Sequence, residues 1–405
     1  MNISLKVISR IFLIIFVYFL IVNFFTGVYS LPSEGDSLNY HIPIAKNILS
    51  GNIIFQKNII EIEQWYPGAT EVILGLFILL HIPLNLFNVL AIAIFAIVLY
   101  QFGKLFLKNK DLALIFATSI ASLYGVFRLA HTQNVDIWLA VYFLLLIILF
   151  ESPKKNLIYF LKLGFLSGML IGSKYTGPLL FLILSAVYVK DILKILNFKR
   201  LFIFLVPFSV FGLFWYFRNF ILTGSPVYPQ SLLFFKGLPG WHSYLNNPMW
   251  KAFLNTPTQM INAYVSEFMI WPLLAVFLFI FLLIFYKRFF KKKGIASIKK
   301  PLFISLLFFL IYLFLPYDNL YLGMVLSMRY TYGLLALIGI SIFMITEFLG
   351  LSEVLALILL LNTLVLFFPS YHPKFIFIYE PLVLLLLIVL FREKFKKSVD
   401  KLRKN

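Results

Sequence analysis

The chain alternates long apolar runs with short polar interruptions. Ile11–Val22, Val89–Tyr100, Leu273–Tyr286 and Leu355–Phe368 are nearly free of charge. With their flanks, each reaches the ~20 residues that a helix needs to cross a bilayer. Followed along the whole sequence, this pattern predicts an all-α, polytopic integral membrane protein with about 12 transmembrane helices. They fall near 7–30, 84–106, 111–127, 137–150, 157–173, 176–190, 201–217, 268–286, 302–316, 331–346, 354–368 and 376–391. The first run follows Lys6 and Arg10 and so resembles a signal peptide. It exceeds the ~7–15-residue core of such a peptide and no small-x-small cleavage site follows, so it reads as a retained first span.

Two polar stretches are too long to be mere connectors: 31–83 and 218–267. Both are rich in Trp, Tyr and Pro, which argues for ordered, functional loops. In the first, Gly68–Leu80 is apolar but short, and reads as a shallow or re-entrant helix. Pro43 suits the first turn of a helix, and Ile44, Ile48 and Leu49 follow at helical spacing, as in a short interfacial helix. Gly164, Gly168 and Gly172 repeat every four residues, the pattern of close helix contact through small residues.

Composition agrees with a membrane protein. Of 405 residues, 62% are hydrophobic and 13% charged, against about 45–50% and 25% in soluble domains. The net charge of +19 could indicate nucleic acid, but its placement decides otherwise. With the amino terminus inside, the inner segments hold Lys104, Lys108, Lys110, Lys154, Lys155, Lys190, Lys194, Lys199, Arg200 and the basic runs at 287–300 and 392–404. This is the positive-inside pattern, with anionic membrane lipids as partners and both termini cytoplasmic. Phe391, Phe395, Val399 and Leu402 add a basic amphipathic tail at 392–405. Heavy use of Ile, Lys, Asn and Phe accords with a bacterial cytoplasmic (inner) membrane. Cysteine is absent, which excludes disulfides and Cys-ligated metal.

The candidate chemistry lies on the outer side. Asp36 sits in Glu34-Gly-Asp-Ser-Leu-Asn-Tyr-His-Ile-Pro43, just beyond the first apolar run, and Asp136 opens the run that begins at Ile137. Each also reads as a helix N-cap. Lys174, Arg218 and Arg329 fall at the outer ends of three runs. They read either as snorkelling anchors or, together, as an anion clamp. The five histidines (His41, His81, His131, His242 and His372) are all outer and lack metal-ligand spacing, so no metal or other cofactor is indicated. Ser173-Lys-Tyr-Thr176 has the wrong glycine spacing for a phosphate-binding P-loop.

Several islands resemble the GT-C superfamily of polytopic glycosyltransferases, in its protein O-mannosyltransferase and aminoarabinose-transferase branch. They are Asp36–Pro43, Trp65-Tyr-Pro-Gly68, Asn134-Val-Asp136, Gly168–Thr176, Trp215-Tyr-Phe-Arg-Asn219, Thr223–Pro229 and Arg329-Tyr330, in family order. The resemblance implies a GT-C-like catalytic module over 1–286, followed by further helices over 287–391. It implies transfer of a sugar from a polyprenyl-phosphate-linked donor to a lipid, glycan or protein acceptor at the outer face. Asp36 would be the catalytic acid position and Asp136 the second; Lys174, Arg218, Arg329 and Tyr330 would lie near the donor phosphate, with Tyr40 and His41 touching substrate. Many relatives carry two adjacent acids where this chain has Asp36-Ser37, which leaves metal assistance open. An aspartate carboxylate is ionised at neutral pH in water, so Asp36 would accept the acceptor's proton in an inverting displacement. A lipid-linked oligosaccharide polymerase or ligase, and a transporter or lipid flippase, are the competing readings.

Overall fold

The computed structural model describes residues 4–52, 62–195, 197–232, 234–239, 248–289, 297–316 and 321–364. Among these residues the protein is all helical, with two isolated bridges, Leu232↔Phe235 and Pro248↔Pro316. In hydrocarbon a helix satisfies its own backbone groups, which is what apolar runs of this length require.

The chain runs through α1 (Leu5–Tyr29), a π-helical turn (Ser37–His41) continuing into α2 (Ile42–Leu49), then α3 (Glu71–Leu79), α4 (Leu86–Phe106) and α5 (Lys110–Ala121). There follow α6 (Tyr124–Phe127), α7 (Asp136–Glu151), α8 (Leu157–Ser173), α9 (Gly177–Leu193) and α10 (Phe198–Phe208). After a π turn (Ser209–Leu213) come α11 (Phe214–Thr223), α12 (Met249–Asn255), α13 (Pro257–Phe268) and α14 (Trp271–Phe289). The described part ends with α15 (Lys299–Leu313), α16 (Tyr321–Ser327), a 3-10 turn (Met328–Thr331), α17 (Tyr332–Leu349) and α18 (Ser352–Leu364).

Among the described residues four helices are long and apolar enough to cross a membrane: Leu5–Tyr29, Leu86–Phe106, Phe198–Thr223 and Gly323–Leu349. A fifth arises if α13 and the first part of α14, which meet at 109°, count as one broken span. Helices also occupy the other segments expected from the apolar pattern up to α18. The expected run at 376–391, the basic tail at 392–405, His242 and His372 lie outside the described residues. Two boundaries moved. The run at 111–127 breaks at Ser122–Leu123 between α5 and α6. The run at 201–217 continues through Pro207 and the π turn to Thr223, where Gly224 closes it at φ 76°.

Side-chain contacts sort into two ends of the bundle. At one end Ser9 donates to Asp111 (2.9 Å), the Asn109 amide donates to Glu347 (3.1 Å) and Lys300 pairs with Glu151 (3.0 Å). Asn109, Asn156 and Asn197 cap α5, α8 and α10 at this end, each accepting a backbone N–H. At the other end Asn85 donates to Ser30 (2.9 Å), and His131 Nε2 meets the Asn23 carbonyl (3.0 Å). Residues predicted to share a side of the membrane are the ones that touch. Helix α3 starts and ends at the second end: the Ala69 amide donates to the Gly172 carbonyl (2.8 Å), and Gln133 donates to the Leu84 carbonyl (3.1 Å). Its nine residues rise ~13 Å, too short for a crossing, and it packs on α2 behind Pro43.

The core lies around α4, α5, α7 and α17, with Phe95, Phe116, Phe143 and Tyr332 fully buried. The glycine stripe of α8 faces α10 and its π turn. A methyl group at Gly164 would strike the Phe204 carbonyl, and one at Gly172 the Phe211 carbonyl. Helix α8 therefore sits backbone to backbone on its neighbour, the contact that small residues permit.

Candidate active site

Glu34, not Asp36, caps the helical turn that follows α1. Its Oε2 accepts from the Ser37 amide (2.8 Å) and the Ser37 hydroxyl (2.7 Å). Asp36 makes no capping bond and is left 38% exposed. Its Oδ2 accepts from Arg329 Nη2 at 2.8 Å, which leaves Oδ1 outside that bond. The π turn that follows buries Ser37, Tyr40 and His41 together; such turns are frequent at functional sites. Ser37 Oγ accepts from the Gln133 amide (2.8 Å), tying this loop to the segment that leads into Asp136.

Asp136 also does not cap its helix. It is buried, 2.7 Å from Lys174 Nζ at Oδ1 and 3.3 Å from Arg329 Nε at Oδ2. Lys174 occupies an extended break between α8 and α9 (φ −163°, ψ 153°), which turns it out of the helix toward the acid. Its ammonium lies 4.4 Å above the Tyr330 ring, with the Arg329 guanidinium 5.8 Å from the same ring. Arg329 thus bridges the two acids from the 3-10 turn ahead of α17, and its Nη1 is a buried donor without a partner among the described residues. Two carboxylates and two cations balance in charge, as a cluster taken out of water requires.

Beside this cluster is a small cavity of ≈30 Å³ walled by Tyr40, His41, Tyr66, Lys174, Tyr175 and Tyr330. It takes about one water-sized group. Burial, together with the Asp36 charge, pushes the Tyr40 phenol well above its ordinary value. Tyr40 therefore stays a neutral hydrogen-bond donor. Glu71 lines the same cavity; its Oε1 lies 2.7 Å from His41 Nδ1 and its Oε2 is buried without a partner among the described residues.

A second space, an apolar groove of ≈580 Å³, shares Tyr175, Thr176 and Pro316 with the small cavity. It runs between α9 and the α10–α11 helix, past Leu179, Phe208 and Tyr216.

Of the residues singled out in the sequence, Asp36, Asp136, Lys174, Arg329, Tyr330, Tyr40 and His41 come together. Arg218 does not join them. The helix carries on past it, and its guanidinium sits between Trp65 and Trp215 at 5.6 and 5.2 Å. There it donates to the Trp65 carbonyl (2.9 Å) and to Asn219 Oδ1. Asn219 in turn donates to the Trp65 carbonyl (3.0 Å) and the Tyr175 hydroxyl (3.1 Å), and Tyr175 donates to the Tyr228 carbonyl. Arg218 thus braces the wall of the site rather than facing it. Glu71 and Tyr175 went unnoticed in the sequence. The signal for Glu71 was a lone carboxylate at the head of an apolar stretch.

Among the described residues no three of His, Asp and Glu gather as a metal-ion cluster. No protein-family model matches this chain, and no curated protein or solved structure matches it.

Proposed function

We propose that this chain is a membrane glycosyltransferase of the GT-C type. It would move a sugar from a polyprenyl-phosphate-linked donor to an acceptor at the outer face of a bacterial cytoplasmic membrane, within a fold of about twelve spans with both termini inside. One observation carries the reading: the four-charge cluster of Asp36, Asp136, Lys174 and Arg329 reaches, through Lys174, a small cavity that shares Tyr175, Thr176 and Pro316 with an apolar groove of ≈580 Å³. Such a neighbourhood suits a ligand with an anionic head and a long hydrocarbon tail.

In this reading the phosphate is held by Lys174 and by the unpartnered Nη1 of Arg329. Asp136 keeps the two cations side by side. The acceptor oxygen attacks the anomeric carbon and its proton passes to Asp36 Oδ1. The bond from the anomeric carbon to the phosphate oxygen breaks, and its electron pair leaves with the phosphate. Lys174 and Arg329 stabilise that growing charge in a site shielded from water, the usual large term in such reactions. Arg329 fixes the Asp36 carboxylate through the other oxygen. A sugar exceeds the ≈30 Å³ now enclosed, so the donor headgroup is admitted only as the tyrosine walls part.

The test is sugar transfer, or donor hydrolysis, by the purified protein with polyprenyl monophosphate and diphosphate sugars. Turnover of the monophosphate donor supports the proposal. Use of the diphosphate alone would make the chain an oligosaccharide polymerase or ligase, and turnover of neither would leave a transporter or a non-catalytic subunit.

A further inference from the structure

Below the groove lies another apolar space, a slot of ≈180 Å³ lined by Phe150, Phe160, Leu163, Ile192, Leu201 and Phe204, together with Phe181. Every lining side chain is apolar, and spaces of this kind stay dry and take hydrocarbon. Phe181 also lines the groove, so groove and slot meet at that ring. Phe208 lies 5.5 Å from Phe181 and 5.0 Å from Phe204, and the three rings form the step between the two spaces.

The path is long. Pro178 lines the groove and Ile192 the slot, both on α9. At 1.5 Å per residue they are separated by about 21 Å of helix. One leaflet provides about 15 Å of hydrocarbon, half of a ~30 Å core. A chain anchored at the Lys174 end and filling both spaces therefore passes beyond the depth of one leaflet, which the repeating units of a long polyprenyl tail cover with length to spare. We infer that the slot is a chain-length subsite, in which the distal isoprene units of a long polyprenyl phosphate lie once the proximal units fill the groove. This rests on the donor reading above.

The opposite end of the slot is bordered by cations. Arg200 lies 5.5 Å from the Phe160 ring, and Lys155 donates to the Phe150 carbonyl at 2.6 Å. An anionic phospholipid reaching in from that side is the rival occupant, and the experiment separates the two.

The purified full chain is titrated with geranyl phosphate and with undecaprenyl phosphate, as wild type and as Ile192→Trp and Leu201→Trp. Both positions are half-buried at the slot, so the indole fills space without rebuilding the core. Each buried methylene is worth about four-fold in affinity, so blocking even part of the slot should weaken the long chain about ten-fold or more. Geranyl phosphate, too short to pass Phe181, should bind all three proteins alike, which also reports that the variants are folded. Equal affinity of wild type and variants for the long chain overturns the slot while leaving the groove intact. Loss of co-purifying phosphatidylglycerol, with long-chain binding unchanged, assigns the slot to phospholipid. Failure of the wild type to bind either phosphate removes the donor site and the slot together.

Discussion

Arg329 and Asp36 meet at 2.8 Å although 293 residues separate them in sequence. The candidate site therefore closes only when the last part of the described chain returns to the segment between α1 and α2. Before that, Asp136 has Lys174 but neither acid has Arg329. The cations also explain why neither aspartate caps its helix: Asp36 is satisfied by Arg329 and Asp136 by Lys174 and Arg329.

The two ends of the bundle can be told apart by labelling, since the chain has no cysteine of its own. Ser37 and Gln133 are buried, but Asn39 and His81 are exposed at one end, and Lys110 and Lys154 at the other. Cys at 39 or 81 should react with an impermeant thiol reagent on intact cells, and Cys at 110 or 154 only after permeabilisation. Outside labelling at 110 or 154 reverses the orientation.

Lys174→Gln should weaken donor use about ten- to a hundred-fold, because a hydrogen bond to a charged group is worth about 1.5–3 kcal/mol. It also strips a buried carboxylate of its closest partner, and breaking such a pair costs about 3–5 kcal/mol. Lys174→Gln with Asp136→Asn should recover much of the stability without recovering donor use. Thermal melts beside donor titrations check this; recovery of donor use in the double variant would show that Lys174 serves only to neutralise Asp136.

Arg218→Lys should behave differently from Lys174→Gln. Lysine lacks the planar fork that reaches both the Trp65 carbonyl and Asn219. The melting temperature should fall by several degrees, while donor affinity per folded molecule changes less than in Lys174→Gln. A donor-affinity loss as large as that of Lys174→Gln, with an unchanged melt, returns Arg218 to the phosphate site.

The helices and the grouping of residues at two ends were legible because apolar length and charge placement are local properties of the chain. Asp36, Asp136, Lys174 and Arg329 were legible as ionisable residues beside apolar runs, where charge is costly and rarely idle. Their pairing was not, since the contact between Arg329 and Asp36 is made wholly by tertiary structure. Arg218 lies apart from the cluster because nothing ends the helix between it and Gly224, and its guanidinium is taken up by Trp65, Trp215 and Asn219, partners that only the tertiary structure supplies. Glu71 was passed over because its partner, His41, lies on another helix. The groove and slot had no linear signature at all: residues from α7, α8, α9, α10 and α11 and the 226–232 and 314–316 segments line them.

The central claim is that Asp36 takes the acceptor's proton, and Asp36→Asn tests it most directly. Asparagine keeps an oxygen for Arg329 Nη2, and Glu34 still caps the helix, so the folded protein should persist. It has no carboxylate to accept a proton, and loss of a general base costs about 10²–10⁴ in rate. With folded protein quantified and a polyprenyl-phosphate sugar in excess, transfer should fall by about that factor while donor binding stays near wild type. Transfer by Asp36→Asn at the wild-type rate would contradict the account and leave Asp36 as no more than the counter-ion of Arg329.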